Sequence, residues 1–170
     1  MIKSIETVIT WAAKASFFVG SVAMILMMFH IGGEVIARSF FATGLPGTLA
    51  VVSEWYMIII VYMPLALLML RDEHISVDLF THRLAAKTQH WLRVVTGFFA
   101  LVFLYYWAES SLDLALKKTK RLSFLDSGLL QVPTWPVYWL CFIAVVLLAA
   151  ATAVVIIRAV IDARRANTPS

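Results

Sequence analysis

Charge is scarce in this sequence. Only 14% of its 170 residues are Asp, Glu, Lys or Arg, where ordinary soluble domains carry about 25%. A solvated surface cannot be built from so few, which excludes an ordinary water-soluble domain. Cysteine is nearly absent: Cys141 stands alone, so no internal disulfide can form, and in an apolar run it reads as a small packing residue. Glycine is sparse, with seven residues, and there are no paired Gly/Pro-interrupted helices of the kind that hold ions and substrate at the midplane of a transport core. Gly/Ser linkers, internal repeats and low-complexity tracts are missing, which leaves a single domain over 1–170. No P-loop, nucleophile triad or zinc signature is present, so no enzyme is expected. No small-x-small site follows the first apolar run, which therefore reads as a retained span rather than a cleaved leader.

What the chain does have is apolar length. Hydrophobic residues make up 62% of it, and the mean hydropathy is +0.88. A chain of this size still exposes much of its surface, so part of its solvent must be lipid. A span needs about 20 mostly apolar residues, and four segments qualify, at about 11–41, 49–70, 91–116 and 136–161. The predicted fold class is an all-α integral membrane protein with four transmembrane helices. Pro64 should kink the second span. Thr134 is placed to cap the fourth, with Pro136 in its first turn. Four spans put both termini on one side. Nine of the 14 Lys and Arg residues fall on that side and five on the other, so the positive-inside rule predicts cytoplasmic termini.

The few charges form three groups. Glu34 and Arg38 lie one turn apart near the end of the first span and share a helix face. Glu54 enters at similar depth on the second span, after the short connection ATGLPGT. A charge at bilayer depth costs about 2.5–3.5 kcal/mol on insertion scales, and an Arg38–Glu54 pair, with Glu34 beside it, is expected to act as a clasp between helices. The second group is the stretch MLRDEHISVDLF. At about 100° per residue, Arg71, His74 and Asp78 form a narrow polar stripe. Val77, Phe80, Leu84 and Trp91 lie roughly opposite. This pattern predicts an amphipathic helix at about 73–90 lying in the membrane interface, anchored through Arg71, His74 and Asp78. His74 and Asp78 could chelate a metal together, but a site needs three or four ligands and His82 and His90 fall off the stripe. The third group is Glu109, Asp113 and Lys117 on one face, followed by Lys118, Lys120 and Arg121. The four cations form a positive patch suited to an acidic partner.

Three kinds of function remain open to such a chain. A self-sufficient four-span transporter would work as an oligomer around a membrane Glu. Glu34 and Glu54 both sit near an interface with an Arg at hand, and the connecting loops are too elaborate for so minimal a device. A haem-bearing subunit would need axial histidines inside the spans, and only His30 lies in one. An accessory subunit, supporting another polypeptide that holds the transport site, fits best.

The residues EVIARSFFATGLPGTLAVVSEW, LLMLRDEHISVDLF and VPTWPVYWL, in this order and spacing, resemble the small membrane subunit (the Q type) of tripartite ATP-independent periplasmic (TRAP) transporters. The resemblance covers nearly the whole chain, and R-x-x-H-I-x-V-D-L is its most specific part. Asp72 and Glu73 depart from it, where a small or Gly-containing turn is more usual. The resemblance implies a bacterial inner-membrane secondary transporter in which a periplasmic binding protein captures an organic acid. A large multi-span permease carries the substrate and coupling-ion sites, usually for sodium. This chain would support the permease, bind neither substrate, metal nor cofactor, and offer Lys117, Lys118, Lys120 and Arg121 to the binding protein.

Overall fold

Four apolar helices long enough to cross a bilayer organise the computed structural model, which describes residues 2–71, 86–126 and 131–165. Helix α1 runs over Ile2–Phe41. The second span, Thr48–Leu70, is assembled from pieces: α2 (Thr48–Val51), a π-helical turn (Val52–Tyr56), α3 (Met57–Tyr62) and α4 (Leu65–Leu70). Helix α5 covers Ala86–Lys120 and α6 covers Trp135–Arg165. Between them lies a small antiparallel hairpin, β1 (Phe124–Asp126) with β2 (Gln131–Pro133), in which Leu125 faces Val132. Among the described residues, the hairpin adds two short strands to the helices.

The helices outrun the apolar segments that mark them. Helix α1 begins well before Trp11, α5 continues past Leu116 to Lys120, and α6 reaches Arg165. Lipid thickness sets where the apolar run stops. The helix itself continues, because Lys, Arg, Glu and Ala are good helix formers and the basic end of α5 suits the negative end of the helix dipole. Residues 86–90, assigned from sequence to an interfacial helix at 73–90, form the opening of α5. The remainder of that segment, with His74 and Asp78, lies outside the described residues.

Two apolar contact sets hold the bundle. Near the end that carries the termini, Ala13 of α1, Ala66 and Leu67 of α4 and Ala151 of α6 are fully or almost fully buried together. Deeper in, Leu104 of α5 packs on Val145 and Leu148 of α6, with Tyr62, Leu65 and Trp107 around them. Alanine dominates the first set because lipid offers apolar groups as good an environment as protein does. Helices in a membrane therefore gain by close approach of small side chains. The same logic places Gly20 against Pro64: a Cβ on Gly20 would come within 3.2 Å of the proline ring. Pro64 interrupts the second span as expected, and Leu67 and Leu68 both donate their N–H groups to its carbonyl.

Candidate functional site

Three groups of polar side chains lie at the end of the bundle where α1 meets α2 and where α5 meets the hairpin and α6. Glu34 is the centre of one group. Its carboxylate, whose side chain is 13% exposed, pairs with Arg38 at 2.7 Å. It also accepts the Leu45 backbone N–H and, at 3.1 Å, the Thr48 hydroxyl. The connection after α1 turns back over this carboxylate, and a Cβ on Gly44 would collide with Glu34 Oε1 and approach Arg38 Nη2. A side chain at this position would displace the Glu34 carboxylate from its present place. Thr48 also lies 3.4 Å from His30 Nε2, and the His30 ring meets Tyr56 edge-on at 5.8 Å. The first connection is therefore tied to its own helix through one acid.

Glu54 belongs to a second group. Among the described residues, no ion pair joins it to Arg38. It accepts instead from the Tyr138 hydroxyl of α6 at 3.3 Å. The expected Arg38–Glu54 contact is replaced by Arg38–Glu34, one turn apart on α1, while Glu54, in the π-helical turn, meets Tyr138 of α6. The sequence reading places Glu54 by its depth on the second span. In the structure the Met57 N–H reaches back five residues to the Val52 carbonyl, which inserts an extra residue and turns the adjoining side chains by about 100° relative to a regular helix. Three consecutive residues of this turn face three different elements. Glu54 meets α6, the Trp55 indole N–H donates to the Pro133 carbonyl at 3.1 Å, and Tyr56 meets α1. Sequence reasoning missed this junction because nothing in VSEWY, with neither glycine nor proline, announces a π turn.

The third group closes the α5–α6 connection. Lys118 lies 4.9 Å over the ring of Tyr138, so this tyrosine carries a cation on its face and an acid on its hydroxyl. The Trp139 indole donates to Thr119 Oγ1 at 2.9 Å. Helix α5 ends in a Schellman arrangement: the Ser123 N–H meets the Lys118 carbonyl and the Leu122 N–H meets that of Thr119. The left-handed position is held by Leu122 (φ 42°) where glycine is usual. Thr134 precedes α6 as predicted, but its hydroxyl and its N–H both donate to the Ser123 carbonyl, so it staples the connection rather than capping the helix.

The basic patch is divided. Lys117 pairs with Asp113 at 2.5 Å on the exposed face of α5, Lys118 is engaged with Tyr138, and Lys120 and Arg121 are exposed. Beside them Leu122 and Phe124 are 57% and 54% exposed, so the tip of this connection is cationic and apolar at once. Of the predicted interfacial anchors only Arg71 is described, as the exposed residue that ends α4. Among the described residues, no group of three or more His, Cys, Asp or Glu is placed to hold a metal. A pocket of about 210 Å³ between the second span, α5 and α6 is lined by Tyr62, Trp107, Ser110, Ser111, Tyr138 and Cys141 with Ile58 and Leu114, and it contains no carboxylate or cation.

The sides of the bundle remain uncovered. In the most apolar window of each span only 11%, 22%, 17% and 28% of residues are buried within the chain, in chain order. The fold and its polar end thus define a multi-pass helical membrane protein whose spans are faced by lipid or by another membrane chain. The family model for the DctQ component of tripartite ATP-independent periplasmic transporters matches residues 27–162. The chain belongs to that family: it is a small membrane subunit of a TRAP transporter, a component that associates with a large permease and a periplasmic binding protein. The family is one of transporter components, not of enzymes. No curated protein and no solved structure gives a match to the chain.

Proposed function

We propose that this chain is the membrane scaffold of an importer that takes up an organic acid, a carboxylate or sugar acid, by ion coupling. The large permease holds the substrate and coupling ion, expected to be sodium. This chain holds the stationary part of that permease at a fixed depth in the bacterial inner membrane, with both termini cytoplasmic. The observation that carries the reading is the contrast between its ends and its sides. Glu34 and Glu54, the acids that a self-sufficient transporter would need, are each engaged by neighbours in the chain. The apolar sides, in contrast, are largely unburied.

The tip formed by Lys117, Lys118, Lys120, Arg121, Leu122 and Phe124 suits docking of the binding protein. Its cations would steer an acidic surface, and its apolar residues would be covered on contact.

The test is reconstitution. The chain co-purifies with its permease, and proteoliposomes need both, plus the binding protein, for ion-driven uptake. Uptake by this chain alone would refute the scaffold reading. Replacing the four cations with glutamine is expected to weaken binding-protein docking and flatten its salt dependence while the two membrane subunits stay together. Unchanged docking would refute the docking surface alone.

A further inference from the structure

At the opposite end of the bundle, α1 and α6 frame a cleft of about 580 Å³ lined by Glu6, Thr7, Thr10, Trp11, Lys14 and Arg158. Ala13 of α1 and Ala151 of α6 meet in one buried cluster with Ala66 and Leu67. Glu6 and Arg158 each lie two turns from that contact toward the same end, and they form an ion pair across it. Thr10 donates its hydroxyl to the Glu6 carbonyl. The pair uses one nitrogen of Arg158, whose side chain is 44% exposed, and a guanidinium has five N–H donors. Among the described residues, no carboxylate pairs with Lys14.

Lys14 and Arg158 lie toward the terminal ends of the long candidate spans Glu6–Phe41 and Trp135–Ile161, where a long cationic side chain can reach the headgroups. Trp11, 74% exposed, stands on the same rim, as interfacial tryptophans do. From this rim an apolar track continues along one side of α1 through Phe18 and Ile25, which are 68% and 54% exposed and spaced two turns apart. Two cations and one acid leave the cleft with a net charge of +1, which matches the single negative charge of a phosphodiester.

We propose that this cleft is a binding site for the phosphodiester headgroup of a membrane glycerophospholipid. Lys14 and the remaining Arg158 N–H groups hold the phosphate oxygens, Glu6 fixes Arg158, and an acyl chain follows Trp11, Phe18 and Ile25. The inference stands on the cleft and does not depend on the proposed transport role.

The test uses the full chain in complex with its permease, delipidated in detergent and studied by native mass spectrometry. Phosphatidylglycerol, diacylglycerol with the same acyl chains, and excess inorganic phosphate are the probes. The complex is then dissociated in the gas phase so that lipid is weighed on the small subunit itself. Phosphatidylglycerol is expected to stay with this chain, diacylglycerol is not, and inorganic phosphate does not displace the lipid. Lys14→Gln, which leaves the Glu6–Arg158 pair in place, is expected to weaken lipid binding about tenfold, or about 1.4 kcal/mol. Lipid found only on the permease, equal retention of diacylglycerol, displacement by inorganic phosphate, or a Lys14→Gln affinity equal to the parent would each overturn the proposal.

Discussion

Gly97 of α5 packs directly against Ile156 of α6, and replacing it with alanine probes what holds the two spans together. A Cβ at this position would lie 2.5 Å from Cγ1 and 2.8 Å from Cδ1 of Ile156. Cγ1 is anchored one bond from the Ile156 Cβ, so relief needs a change of rotamer or a shift of the helix. Overpacking of this kind costs about 1–3 kcal/mol. Alanine gains about 0.8–1 kcal/mol over glycine in a helix interior. Gly97→Ala is therefore expected to destabilise the protein by about 1 kcal/mol, the difference between these terms. Ile156→Ala removes both clashing atoms and leaves its Cβ 3.9 Å from the new one. In that background Gly97→Ala meets no obstacle, and the propensity gain alone should stabilise by about 1 kcal/mol. The sign reverses, with a coupling energy of about 2 kcal/mol in a double-mutant cycle. Reversible unfolding in mixed micelles, followed by helical circular dichroism, measures all four variants. If Gly97→Ala stabilises the protein equally in both backgrounds, close approach at Gly97 is not what joins these spans.

Three further outcomes follow from particular contacts. Trp55→Phe removes the indole donor from the Pro133 carbonyl, a loss of about 1–2 kcal/mol; amide exchange should accelerate in the hairpin while that of α6 around Val145 is unchanged, and an unchanged hairpin would refute the staple. Leu122→Gly relieves a left-handed residue whose strain is about 1–2 kcal/mol, partly offset by unfolded-chain entropy. A net gain of about 0.5–1 kcal/mol is expected in the same unfolding assay, and a loss of stability would show that the Leu122 side chain contributes more than its strain costs. The exchange Arg38→Glu with Glu54→Arg should not rescue assembly lost in either single variant, because Arg38 is paired with Glu34 and Glu54 with Tyr138; rescue, read by co-purification with the permease, would restore the direct clasp.

The spans were legible in the sequence because lipid imposes one strong rule: an apolar run of sufficient length must cross. Their ends were not, since the helix continues wherever good helix formers follow, as at Lys117–Lys120. The charged positions were legible for a related reason. A chain with so few charges can place them only where water, headgroups or a partner will meet them, so Glu34, Arg38 and Glu54 were all readable as one end of the bundle. Which acid met which base was not readable. Glu54 sits in the π turn at Val52–Tyr56 and Leu45 folds back over Glu34, and neither feature has a periodicity or a composition that marks it.

The π turn also explains how one short segment can serve three neighbours. A regular helix at this position would put Glu54, Trp55 and Tyr56 about 100° apart, with only part of that arc facing protein. The widened turn brings the first to Tyr138, the second to Pro133 and the third to His30, so α1, the hairpin and α6 are all fixed against the second span at one level. A π turn costs some regular hydrogen bonding and persists where tertiary contacts repay it. Here the contacts are polar or aromatic and lie at the end of the bundle, while the spans below keep their apolar sides unburied. An architecture that fixes its end internally and leaves its sides open is suited to hold a larger membrane chain by its sides without its own helices splaying.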